Sequence, residues 1–123
     1  MSEIIYNERM VDGCFIFIRP TVRALDEEKV IKKWTEELFD CVAHGSDEKV
    51  VIDFQSVYIL TSSVLSALLR FRAQMVDRHI DFALCGLSEN IMAAFRITCL
   101  DRVFVIGKDQ DEAKALLNAS ASE

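Results

Sequence analysis

From Lys49 onward the chain alternates short apolar runs with longer segments whose apolar residues recur at helical spacing, and this alternation restricts the fold more than any other feature. Lys49 to Phe54 reads Lys-Val-Val-Ile-Asp-Phe, a run of the kind buried inside a parallel sheet. Gln55 to Leu60 is a connector. Thr61-Ser62-Ser63 then opens a helix reaching about Arg78. Val64, Leu65, Leu68, Leu69, Phe71, Met75 and Val76 are expected to form its broad buried stripe, and Ser63, Ser66, Arg70, Gln74 and Asp77 a polar one. Asp81 to Cys85 is the next strand, and Ser88 caps a short helix through about Ile97. Arg102 to Ile106 is the last strand. Asp109 and Glu112 stand near capping-box spacing for a final helix through Leu117.

The N-terminal third fits the same scheme. Ile4 to Val11 and Cys14 to Ile18 are β-prone runs joined at Asp12-Gly13, a pair suited to a tight hairpin, and Pro20 stops the second. Asp26 is placed to cap a helix with Glu27 and Glu28 in its first turn, where negative charge meets the positive dipole end. Val30, Ile31, Trp34, Leu38, Cys41 and Val42 lie on one face of that helix, and Gly45 ends it. The order is β-β-α-β-α-β-α-β-α. Alternating strands and helices require right-handed parallel crossovers after an antiparallel opening hairpin. The expected fold is α/β, a single domain over residues 1–123 with a core from about 4 to 118 and a frayed C-terminal tail. It carries a four- to five-stranded mixed sheet and four helices, with Val51, Phe54, Leu65, Leu69 and Leu84 buried.

Composition excludes several functions. Apolar residues make up 51% of the chain, enough for a real core. Fourteen basic residues against twenty acidic ones, a net charge of −6, cannot supply the phosphate-neutralising stripe that nucleic-acid binding needs. No apolar run approaches the roughly 20 residues that span a bilayer. The first residues lack the basic start and apolar stretch of a signal peptide, so a cytoplasmic protein without membrane insertion is expected. Cys14, Cys41, Cys85 and Cys99 are widely spaced and sit among apolar neighbours, which predicts buried free thiols and neither disulfides nor a metal site.

Catalytic sets are equally hard to build. His44 and His79 fall at helix ends, where a donor or cation complements the dipole. No Ser-His-Asp or Cys-His set forms around them, and no glycine-rich phosphate loop occurs. Asp53 ends a strand, but the neighbouring acids of a phosphoaspartate site are missing. The expectation is a protein that binds a partner, with no cofactor, metal or catalytic residue. The remaining feature is Thr61-Ser62-Ser63. Its hydroxyls suit a helix N-cap, and a helix N-terminus is also where a serine carries a phosphate at least cost to its own fold.

Two stretches then resemble a known family. Val50-Val51-Ile52-Asp53-Phe54 followed by Leu60-Thr61-Ser62-Ser63-Val64-Leu65-Ser66-Ala67-Leu68-Leu69 is similar to the signature of STAS domains, especially bacterial anti-sigma-factor antagonists. Leu84-Cys85-Gly86-Leu87-Ser88 and Ala94 to Phe104 resemble that family's second half. The sequence departs from the family pattern in having Thr61 for its Asp, Val64 for its Gly, and Arg23 near its usual Glu.

The resemblance implies a switch. An unphosphorylated antagonist binds an anti-sigma factor that is also an ATP-dependent serine kinase. Phosphorylation of the first serine ends the binding, and a phosphatase restores it. The matching position is Ser62, with Ser63 and Thr61 as alternatives. The implied binding face is the loop from Thr21 through Arg23 to Asp26, together with Thr61, Ser62, Ser63, Val64 and Ser66. A second reading keeps the fold without the switch, as an accessory subunit of a membrane transporter or a scaffold in a signalling assembly.

Overall fold

The computed structural model describes residues 6–42 and 49–121, so Ile4, His44 and Gly45 lie outside the described residues. The strands are β1 (Asn7–Asp12), β2 (Phe15–Pro20), β3 (Ala24–Leu25), β4 (Lys49–Asp53), β5 (Ile59–Leu60), β6 (Asp81–Cys85) and β7 (Val105–Gly107). The helices are α1 (Glu28–Cys41), α2 (Ser62–Asp77), α3 (Glu89–Ile97) and α4 (Gln110–Ala121). Five strands form one mixed sheet in the order β1-β2-β4-β6-β7, antiparallel between β1 and β2 and parallel thereafter. The opening hairpin turns at Gly13, whose φ of 61° is the left-handed conformation that glycine adopts without penalty. The expected fold class is therefore the observed one.

Each sheet face has its own cover. Ile16, Ile18, Val50, Ile52, Phe82 and Leu84 point to the side of α1, α2 and α3, where they join Trp34, Leu38, Leu68, Phe71 and Phe95 in the main core. Phe15, Phe17, Val51, Ala83 and Cys85 point to the other side and meet Ala113 and Leu117 of α4. This division follows from the two-residue side-chain period of a strand. Phe71 is central to the main core: its ring meets Phe39 and Phe82 edge-on, with centroids 5.4 and 5.0 Å away.

Four expectations are corrected. Leu69 is not buried but 40% exposed, Val76 is 56% exposed, and Leu65 is only partly covered. The α2 stripe spans a wider arc than one sheet face and its flanking helices can cover, so contact is made through Val64, Ala67, Leu68, Phe71 and Met75. Helix α1 starts later than expected, at Glu28 after an extended Glu27, and no side chain caps it, Asp26 included. Its first turn closes instead through the Ile31 N–H donating to the Glu27 carbonyl. The last strand begins at Val105 and not Arg102, because Leu100–Arg102 forms a 3-10 turn after a left-handed Cys99. Two helix starts are as expected: Ser88 Oγ accepts the Ile91 N–H at 3.3 Å, and Asp109 Oδ1 accepts the Glu112 N–H at 2.9 Å, while Glu112 Oε1 reaches back to the Lys108 N–H and not to that of Asp109.

The fourth correction concerns the thiols. Cys41 and Cys85 are buried, but Cys14 beside the hairpin turn and Cys99 after α3 are exposed. Burial pushes the Cys41 thiol up to about 11 and the Cys85 thiol to about 12, the latter helped by the nearby Asp53 carboxylate. A thiol reagent at pH 8 should therefore modify Cys14 and Cys99 in the folded protein, and Cys41 and Cys85 only after unfolding. Peptide mapping by mass spectrometry checks this, and rapid modification of Cys85 in the native state would contradict it. Because both pKa values are raised by folding, the stability that depends on these neutral thiols is complete below the ordinary value of 9.0 and is lost as pH climbs toward 11–12.

Candidate functional site

The carboxyl ends of β2, β4, β6 and β7 lie together, and the loops that leave them build one end of the molecule. Two of these loops are tied by a small parallel ribbon, in which Ala24 pairs with Ile59 and Leu25 with Leu60. The Tyr58 N–H donates to the Arg23 carbonyl at 2.8 Å and extends the tie. Because β3 immediately precedes α1 and β5 immediately precedes α2, the ribbon sets the two helix starts side by side. Ser63 Oγ then donates to Glu28 Oε1 across the gap at 2.9 Å. In this way Thr21–Asp26 is brought to Thr61–Ser63 from 35 or more residues away in the chain.

Within this surface the residues play unequal parts. Thr21, Arg23, Asp26, Ser62 and Ser66 are exposed. Thr61 is the extended N-cap residue of α2, and its carbonyl accepts the N–H groups of Val64 and Leu65. Its side chain makes no cap bond, and its buried Oγ1 has no hydrogen-bond partner among the described residues. Ser62 is the first helical residue, with no acid in the first turn of α2. Ser63 is partly buried and held by Glu28. Val64 is corrected: it is fully buried, so no partner can touch its side chain, and it anchors α2 to the core instead. Ser66 lies farther along α2, on a groove of about 570 Å³ between α1 and α2 that Ser63, Lys32, Glu36 and Arg70 also line.

Across the sheet from the Ser62 turn lies a second polar constellation that the sequence reading left unassembled. Asp53 at the end of β4 is only 3% exposed. Its Oδ2 accepts from the Arg19 guanidinium at 3.3 Å and the Gln110 amide at 2.8 Å, while Oδ1 accepts the Gln55 N–H at 2.9 Å. These groups border a cleft of about 370 Å³. Gly86 closes over the carboxylate so tightly that a Cβ there would stand 2.5 Å from Asp53 Oδ1. The period-two pattern held the signal for part of this: Phe15, Phe17 and Arg19 share a face, and the pairing of Phe17 with Val51 puts Arg19 beside Asp53. Gln110, 57 residues farther along the chain, left no such signal. Among the described residues no group of three or more His, Cys, Asp or Glu is placed to hold a metal, and no helix is long and apolar enough to cross a membrane.

Comparison with known proteins agrees with this geometry. The STAS domain family model matches residues 27–113. An anti-sigma-factor antagonist (STAS) domain protein from Planctomyces limnophilus superposes with a TM-score of 0.77 at 20% identity, covering 90% of this chain and 96% of that one. A variant of RsbS from Moorella thermoacetica gives 0.75 at 15% identity, covering 95% and 98%. The anti-sigma factor antagonist SpoIIAA in its unphosphorylated form gives 0.71 at 15% identity, covering 92% and 96%. No curated protein matches the chain by sequence.

Proposed function

Because this chain belongs to the STAS domain family, we propose that it is a regulatory binding protein of the anti-sigma-factor-antagonist type, docking a serine kinase of the ATPase class and released by phosphorylation of Ser62. One observation carries the reading: the β3–β5 ribbon gathers the Thr21–Asp26 loop and the start of α2 into a single surface with an exposed serine at its centre. A partner seated there covers Ser62. A phosphate on that serine brings close to two negative charges into the contact, and desolvating them without a counter-charge is expensive. The domain itself tolerates the phosphate, since the first amides of a helix favour an anion.

The geometry favours Ser62 among the hydroxyls. Ser63 already donates to the Glu28 carboxylate, so a phosphate there would face a negative group at hydrogen-bonding distance. Thr61 Oγ1 is buried and out of reach of a kinase. Ser62 is exposed.

The test starts with the unmodified protein as bait in an extract of its own cells, to isolate the kinase and any phosphatase. With that kinase and ATP, fragmentation mass spectrometry should place phosphate on Ser62. Ser62→Asp should weaken the complex at least tenfold, about 1.4 kcal/mol, while thermal stability stays unchanged. Equal affinity for wild type, Ser62→Ala and Ser62→Asp sinks the switch, and phosphate on Ser63 or Thr61 refutes the assignment.

A further inference from the structure

The two loops of the proposed docking surface share a root. Arg19 stands just before Pro20 and Thr21, where the first loop begins, and Gln55 opens the loop that leads to Ser62. One carboxylate holds both: Asp53 Oδ2 accepts from the Arg19 guanidinium at 3.3 Å, and Oδ1 accepts the Gln55 N–H at 2.9 Å. A further donor comes from the opposite face of the sheet. Gln110, the first residue of α4, gives its side-chain amide to the same Oδ2 at 2.8 Å. Helix α4 packs on Phe15, Phe17 and Val51, whereas α2, which carries Ser62, packs on the other side.

These bonds bear on the course of the loops. The Oδ1 bond to the Gln55 N–H closes an Asx turn, which sets the direction in which the chain leaves β4. The turn continues as the Val57 N–H donates to the Phe54 carbonyl, and the Tyr58 N–H then meets the Arg23 carbonyl of the other loop. Hydrogen bonds thus lead step by step from the carboxylate to the β3–β5 ribbon and the start of α2. The carboxylate itself has little room to turn, because Gly86 packs against both Asp53 and Gln55. The Arg19 side chain is 41% exposed and its bond is the longer of the two on Oδ2, so water competes for it.

We infer that Asp53 is a positioning residue for the Ser62 surface, and that Gln110 makes the start of α4 a control point acting on that surface from the far face of the sheet. This rests on the reading of Ser62 given above and adds a route by which the same site is regulated. Whatever moves the first turn of α4 away from Asp53 releases Oδ2 and loosens the roots of both loops together. Arg19 still pairs with the carboxylate when Gln110 is gone. The effect therefore falls on how firmly the loops are held and not on whether the chain folds.

The test compares Gln110→Leu, which removes the donor and keeps a side chain of similar size, with Gln110→Lys, whose ammonium keeps a donor within reach of Asp53. In the full chain, amide exchange followed by NMR should quicken at least about threefold at Gln55 and Tyr58 in Gln110→Leu. It should return to the wild-type rate in Gln110→Lys and stay unchanged at Ile52 and Leu84 in the sheet. With the isolated kinase, Gln110→Leu should weaken the complex and raise KM by about fivefold while kcat stays near wild type, since docking is impaired and the chemistry is not. Unchanged exchange at Gln55 and Tyr58 overturns the inference, and so does faster exchange there with wild-type affinity for the kinase. Equal acceleration at Ile52 and Leu84 would mark a general loss of stability and overturns it as well. The switch is judged separately. Loss of the complex with Ser62→Asp but not with Gln110→Leu removes the control point and leaves the switch, and the opposite pattern removes the switch and leaves the control point.

Discussion

Phe71→Ala should destabilise the domain by about 3–5 kcal/mol, whereas Leu69→Ala, two residues away, should cost under about 1 kcal/mol. Phe71 is fully buried and packs edge-on against both Phe39 and Phe82, so truncation removes two ring contacts and opens a cavity roofed by a helix that cannot collapse into it. Leu69 has nearly half its surface in water already, and alanine is the better helix former. From the sequence alone the same Leu69 substitution would be assigned about 2–5 kcal/mol, the usual figure for a core leucine. Chemical denaturation of the two variants decides the matter. A Leu69→Ala loss as large as that of Phe71→Ala would mean that α2 is rotated from the orientation described.

Gly86→Ala is expected to cost about 2–4 kcal/mol, from two sources that add. The φ of 70° places residue 86 in the left-handed region, which costs a non-glycine residue roughly 1–2 kcal/mol. The new Cβ would also stand 2.5 Å from Asp53 Oδ1 and 3.0 Å from the Gln55 nitrogen. The carboxylate cannot simply swing aside, because its oxygens hold Arg19, Gln110 and the Gln55 N–H together, and a buried polar group left unpaired costs about 1–3 kcal/mol. A double-mutant cycle separates the sources. In an Asp53→Ser background the clash with the carboxylate should vanish while the backbone part and the approach to Gln55 stay, so the Gly86→Ala penalty should shrink. Strict additivity of the two substitutions would show that the close approach between Gly86 and Asp53 carries none of the cost.

The fold was largely legible because its signals are local. Strand Lys49–Asp53 announces itself by a continuous apolar run, α2 and α3 by helical periodicity and a polar start, and the opening hairpin by Asp12-Gly13. The misses share one cause. Whether Leu69 is covered depends on how much of α2 the sheet and its neighbours can reach, and the late start of β7 depends on the turn at Leu100–Arg102. The same holds for Cys14 and Cys99, which the fold leaves exposed although apolar residues flank them in the chain.

The sequence by itself determined the order of the main elements, the parallel crossovers and a polar, hydroxyl-rich start to α2, since each is set by side chains within a few residues of one another, whereas the short strands β3 and β5 were not in the expected order. It also settled that the two sheet faces are both apolar, through Phe15, Phe17 and Val51 on one side and Ile16, Ile18 and Ile52 on the other. Only the tertiary structure decided that Thr21–Asp26 and Ser62 share a surface, that Arg19 and Gln110 converge on Asp53, and that Leu69 and Val76 stay exposed. Each of these depends on contacts between distant parts of the chain, and no local pattern encodes which of two apolar helix faces the sheet will bury.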